Sequence, residues 1–261
     1  MAPPTTLPTV LLVPGAWHQP VHYSKLISSL ERLGFPTAAT KLDSVGSLDP
    51  KNVTLARDIE YIREQALKPL LDEGRDVILL MHSFGGIEGS GAAKGLSKAE
   101  REVEGKKGGV VGMIWLAGLI MKEGDIWQDK SPVAKDPRLQ VDEEAGVVYI
   151  TDPRSIFYHG VSERDANSAV TLLLPMAVGA RTTPSPAQAW ADKVFEGRLG
   201  YIRCGSDKML APALQDRHME STGLPWEVRT VEEGGHSAFY THPGEIAKYV
   251  LDLTKTFTSS V

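Results

Sequence analysis

Cysteine is almost absent from this sequence. Cys204 stands alone, so no disulfide can form within the chain, which fits a reducing compartment. Long apolar runs are missing too: the opening MAPPTTLPTVLLVPG has no basic leader, and its apolar stretch stops at a Pro-Gly turn too early for a signal or a membrane span. The final TSSV matches no lipid-attachment or retention signal. A cytoplasmic location is therefore expected. Positive charge is not in excess, since 28 Lys and Arg face 33 Asp and Glu for a formal charge of −5. That removes the electrostatic reason to bind nucleic acid or an anionic membrane. The seven histidines show neither HExxH nor clustered spacing, so no metal site is expected. The partner left by these exclusions is a small molecule that is not a polyanion, bound by a monomer or homodimer.

What is present is the material of one large α/β domain. At 261 residues, 42% hydrophobic and 23% charged, the chain suits a single core carrying insertions. Short apolar runs at Thr9–Val13, Pro36–Thr40, Asp76–Met81, Val110–Leu116, Leu199–Cys204 and Trp226–Val231 lack clean alternation, as expected of parallel strands covered on both faces. Helical patterns fall between and after them, at Tyr23–Leu33, Leu55–Leu70, Gly86–Leu96, Pro212–Ser221 and Pro243–Lys255. Alternation of this kind predicts a mostly parallel, doubly wound sheet of about six strands.

The alternation fails between Leu116 and Leu199. This interval holds a hairpin pattern (RLQV, then GVVYI), a Pro153-Arg154 segment, the apolar run AVTLLLPMAV and the turn-rich TTPSPAQ. It is too long for a bare connection and must carry structure of its own. We expect residues 1–119 and 197–261 to form the core and 120–196 to form a cap, with Leu173 and Met176 supplying an apolar pocket wall. The run KAEREVEGKKGG, residues 98–109, reads as a solvated helix end and turn.

One stretch asks for more than folding. In DVILLMHSFGGIEGSGAAKG, residues 76–95, a hydroxyl sits between a buried strand and a helix rich in small residues. A nucleophile presented at such a junction needs close backbone approach on both sides, usually as G-x-S-x-G. Here the pattern is Met81-His82-Ser83-Phe84-Gly85, with the second glycine kept and the first replaced. A serine nucleophile also needs a base, and the base an orienting carboxylate, in the chain order serine, acid, histidine. Strand Leu199–Cys204 runs into GSDKM, which offers Asp207, and the last strand runs into EEGGHSAFYTHPGE, which offers His236. Two amides must also face the developing oxyanion. Phe84, directly after the serine, supplies one; Ala16, in the VPGAWHQP loop after the first strand, supplies the other. Trp17 and His18 then overhang the serine, either packing against the cap or touching substrate. His82 reads as a core histidine and His242 as a cap or surface residue, while His159 and His218 have no evident partner.

Together these residues resemble the α/β-hydrolase superfamily over essentially the whole chain. LLVPGAWHQPVHYSKLISSLERLGF is similar to the opening of its compact branch of plant methyl esterases and hydroxynitrile lyases, and YIRCGSDKMLAPALQ and VEEGGHSAFYTHPGEIAKYVLDL are similar to its closing segments. The resemblance implies Ser83 as nucleophile, His236 as general base and acid, Asp207 as orienting acid, and Ala16 and Phe84 as oxyanion donors. Pro14 stands where the branch usually has histidine, and Met81 where it has glycine. Ser237 stands where the lyases carry a lysine, which argues for hydrolysis rather than cyanohydrin cleavage. The leading expectation is a serine hydrolase acting on a small to medium, fairly hydrophobic ester or lactone, without metal or organic cofactor. The same three residues also suit carbon–carbon bond cleavage, acyl transfer or cyclisation of a natural-product intermediate, and the fold can serve as a small-molecule receptor.

Overall fold

The segment TVLLV forms the first strand with every side chain buried, because helices cover both faces of the sheet it enters. The computed structural model describes residues 7–259. Its strands are β1 (Thr9–Val13), β2 (Thr37–Ala39), β3 (Val77–His82), β4 (Val110–Leu116), β5 (Leu139–Asp142), β6 (Val147–Ile150), β7 (Met176–Ala177), β8 (Leu199–Cys204) and β9 (Glu227–Val231). Six of them pair in the order β2-β1-β3-β4-β8-β9, and every pairing in that sheet is parallel. Successive residues feed opposite faces. Leu11, Val13, Leu79, Met81 and Trp115 pack on one side, and Val10, Leu12, Ile78, Leu80 and Leu116 on the other.

The strand order places the site. After β1 the chain moves outward to β2, then crosses back to lay β3 on the opposite side of β1. The loops after β1 and β3 therefore leave in opposite directions, opening a crevice at the carboxyl ends of these strands. Pro14–Gln19 lies in one loop and Ser83 begins the other.

Several elements differ from the sequence expectation. Leu55–Leu70 is not one α-helix: Leu55–Ile62 passes through a π-helical turn at Arg63–Leu67 into Lys68–Asp72. Pro69 has no N–H for the Gln65 carbonyl and its ring would crowd that group, so the backbone widens just before it. The helix after Ser83 runs Gly85–Ala92 and stops short of Leu96, where Gly95 takes a φ of 72°. Residues 98–109 are more than a solvated end. Ser97 closes a capping box on helix Lys98–Val103, and buried Arg101 reaches the Gly108 carbonyl and the Asp72 carboxylate.

The stretch between β4 and β8 forms the expected hairpin, and β7 extends it to an antiparallel sheet in the order β5-β6-β7. Helices Pro153–Phe157 and Glu163–Thr171 lie between β6 and β7. The apolar run AVTLLLPMAV is thus divided among a helix end, an extended turn and β7. Among the described residues no helix is long and apolar enough to cross a membrane.

Two carboxyl groups are buried beneath the site. Glu88, on the helix after Ser83, and Asp58, on the helix Leu55–Ile62, are both fully buried. Asp58 holds the loop before it by accepting the Ser44 amide at 2.7 Å. Burial, then the neighbouring Asp58 charge, pushes the Glu88 pKa well above the ordinary carboxyl value. A group raised in the fold stabilises fully below its unfolded pKa, and that contribution disappears as pH climbs through the folded value. Glutamine at 88 never ionises. The melting temperature of Glu88→Gln relative to wild type is therefore expected to rise between about pH 5 and 8, and a difference independent of pH would contradict this account.

Candidate active site

Ser83 follows the last residue of β3 and precedes the helix Gly85–Ala92 with a φ of 51°, a left-handed conformation unusual for a residue with a Cβ. The turn is held from below: Ser83 donates its amide to the Leu116 carbonyl at 3.2 Å and accepts from the Leu119 amide at 2.8 Å. Small residues are needed here by contact. A Cβ on Gly85 would lie 2.3 Å from the Pro14 carbonyl oxygen, and one on Gly15 would lie 2.9 Å from the Ser83 Cβ. Met81 finds its room over Gly89, where an added Cβ would meet the methionine sulfur at 2.6 Å. The missing first glycine of the motif is thus offset by a glycine one turn into the helix.

Ser83, His236 and Asp207 come together. Ser83 Oγ lies 3.0 Å from His236 Nε2, and His236 Nδ1 lies 2.8 Å from Asp207 Oδ2. An ionised carboxylate only accepts, so Nδ1 carries the proton and Nε2 presents its lone pair to the hydroxyl. Asp207 is itself held, because its Oδ1 accepts the amides of Met209 and Leu210 at 2.7 and 2.8 Å. The His236 ring stacks on Phe157 with centroids 5.5 Å apart.

Ala16 and Phe84 line the same pocket as Ser83 and His236. Their loops are braced by a chain of bonds that sequence patterns did not disclose. The Gly15 amide donates to Tyr23 Oη at 2.9 Å, Tyr23 Oη bonds His82 Nδ1 at 2.8 Å, and His82 Nε2 bonds the His236 carbonyl at 3.0 Å. A carbonyl only accepts, so Nε2 is the protonated nitrogen and Tyr23 donates to Nδ1. Burial lowers the His82 pKa well below its ordinary value, as does the nearby His236, keeping His82 neutral and this direction of donation intact. His82 is a satisfied core histidine, as expected, and it joins all three loops.

Trp17 lines the pocket and also ties the loop to the inserted segment, donating from Nε1 to the Val148 carbonyl at 2.9 Å. His18 packs instead. It is buried, with Nδ1 on the Ala16 carbonyl and Nε2 on Tyr158 Oη at 3.0 Å, and it is not among the pocket-lining residues. Of the two cap residues expected in the wall, Met176 lines the pocket and Leu173 does not. The helix Glu163–Thr171 ends just before Leu173, so this side chain lies half-buried beside the core while β7 carries Met176 inward. His159 and His218 do have partners, the carbonyls of Ser206 and Ile120. Among the described residues, no group of three His, Cys, Asp or Glu could hold a metal ion.

Of the pocket residues that the sequence did not single out, Leu119, Val133, Met209 and Leu210 are apolar, and the other two are Trp127 and Arg181. Their only sequence signal is weak: each interrupts a stretch of ordinary composition, GDIWQDK and VGARTT.

The sequence profile of the alpha/beta hydrolase family matches residues 10–249. The chain belongs to the alpha/beta hydrolase family. Among curated relatives, this alpha/beta hydrolase is 26% identical over 246 residues to "Alpha/beta hydrolase nvfD" of Aspergillus novofumigatus, covering 93% of this chain and 95% of that protein. Among solved structures it is similar to the methylesterase MES16 from Arabidopsis, with a TM-score of 0.69, 21% identity, and 94% and 98% of the two chains covered. A pyrethroid hydrolase from Sphingobium faniae gives a TM-score of 0.71 at 18% identity, with 96% and 98% covered. The solved structures establish the shared fold of this alpha/beta hydrolase.

Proposed function

We infer that this protein is a serine-dependent hydrolase of a small to medium carboxylic ester or lactone, working through an acyl-enzyme. The observation that carries the reading is the continuous chain from Ser83 Oγ through His236 to Asp207, begun at a strained strand-to-helix turn. His236 Nε2 takes the serine proton as Oγ attacks the carbonyl carbon. The amides of Ala16 and Phe84 receive the oxyanion. His236 then returns the proton to the leaving alkoxide, and water, deprotonated by the same nitrogen, releases the acid. Asp207 keeps the imidazole in the productive tautomer and stabilises its cationic form.

Residues 120–196 act as the cap. This role is supported by the pocket wall they supply through Trp127, Val133 and Met176, and by the bonds they make to Trp17 and His18. The esterase reading agrees with the methylesterase and the pyrethroid hydrolase that share this fold. The deciding experiment is intact mass after brief exposure to a fluorophosphonate. One adduct per chain is expected in wild type and none in Ser83→Ala; folded wild type that stays unlabelled would reject the reading in favour of a small-molecule receptor.

A further inference from the structure

Arginine at 181 is buried, with 2% of its surface exposed, on a short helix at Gly179–Thr182. Buried arginines of a folded chain ordinarily meet a carboxylate, since an uncompensated internal cation is costly. Arg101 does so here, spending its guanidinium on Asp72 and the Gly108 carbonyl. Arg181 does not. Its Nη2 donates to Gln128 Oε1 at 2.5 Å and sits 3.4 Å from the Ala134 carbonyl, while Nε and Nη1 have no partner. Burial is the sole cause acting on its pKa, lowered to about 10 with no acidic neighbour to offset it. At neutral pH the group therefore remains a cation.

The Trp127 ring lies 4.8 Å from the guanidinium carbon, a cation–π arrangement that leaves Nε and Nη1 free. The indole Nε1 of Trp127 is buried and unpartnered as well. Three N–H-bearing atoms on two adjacent side chains thus lack acceptors, and both side chains line the pocket that contains Ser83 and His236. An acceptor bearing negative charge is the kind of group these donors lack.

We propose that Arg181 and Trp127 form an anion-recognition wall, and that the ester or lactone cleaved at Ser83 carries a second, unreacted carboxylate which this wall receives. This rests on the serine hydrolase reading and narrows its substrate class. The carboxylate takes no part in bond making: water adds across the acyl–oxygen bond, its oxygen going to the acyl carbon and a proton to the alcohol, while the remote anion fixes the acyl chain's position. The apolar lining beside it, Phe84, Leu119 and Met176, suits the hydrocarbon between the two groups. The substrate is amphiphilic, not uniformly hydrophobic.

The test compares 4-nitrophenyl hydrogen adipate with 4-nitrophenyl hexanoate, which share an acyl chain length and differ by the terminal carboxylate. Wild type is expected to favour the adipate in kcat/KM, mostly through KM. In Arg181→Gln that preference ratio should fall on the order of 100-fold; Arg181→Lys should keep part of it, and Trp127→Phe, which loses the N–H and part of the ring but keeps an aromatic face for Arg181, should reduce it less. A wild type that prefers hexanoate, or a ratio unmoved by Arg181→Gln, overturns the proposal. Adipate binding by calorimetry separates it from the hydrolase reading. If wild type cleaves neither ester yet binds adipate and Arg181→Gln does not, hydrolysis fails and the anion wall stands. If wild type does not bind adipate, the wall fails whatever the esters show.

Discussion

Ser83→Ala is expected to lower kcat on an activated aryl ester by about 10⁵-fold or more, with the fold unchanged. On the proposed mechanism alanine removes the atom that bonds the acyl group while leaving the elbow geometry alone: both residues carry one Cβ, so the φ of 51° costs the variant nothing new. The Oγ contact with His236 Nε2 is the side-chain bond lost. Residual rate would come from the Ala16 and Phe84 amides polarising a bound carbonyl toward water. The check is kcat on protein whose identity is verified by mass, together with its melting temperature. A variant within tenfold of wild type would remove Ser83 from the mechanism.

Asp207→Asn is expected to cost on the order of 10⁴-fold in kcat at neutral pH, and the structure says why so small a change matters. In an asparagine only the carbonyl oxygen accepts. The Met209 and Leu210 amides, now on Oδ1 at 2.7 and 2.8 Å, claim that oxygen and leave the NH₂ group facing His236 Nδ1. A donor there forces the ring to the tautomer with Nε2–H, which donates to the Ser83 hydroxyl instead of accepting from it. The same loss should appear in the rate of fluorophosphonate labelling, with stability nearly preserved because both loop amides keep their acceptor. Activity within tenfold of wild type would show that Asp207 does not orient the base.

The legible part of this protein was local. The runs TVLLV, VILLM and VVGMIWL announce buried parallel strands by being apolar without alternation, and each pairs as expected. Ser83, Asp207 and His236 were found because each follows a strand whose carboxyl end must face the same crevice. Misreadings also had local causes. Pro69 split a helix whose apolar period continued past it, and AVTLLLPMAV looked like one wall although a helix end turns Leu173 aside before β7 delivers Met176.

Burial periodicity and turn chemistry are written in neighbours along the chain, so the sheet, the elbow and the order of the three residues that meet there are legible in the sequence. Tertiary structure alone decided that Tyr23 and His82 brace the site, and that Met81 is accommodated by Gly89. It also decided that Arg181 lacks the carboxylate Arg101 has. An arginine's letter does not say whether an acid lies beside it; that depends on which distant segments the fold brings to its side.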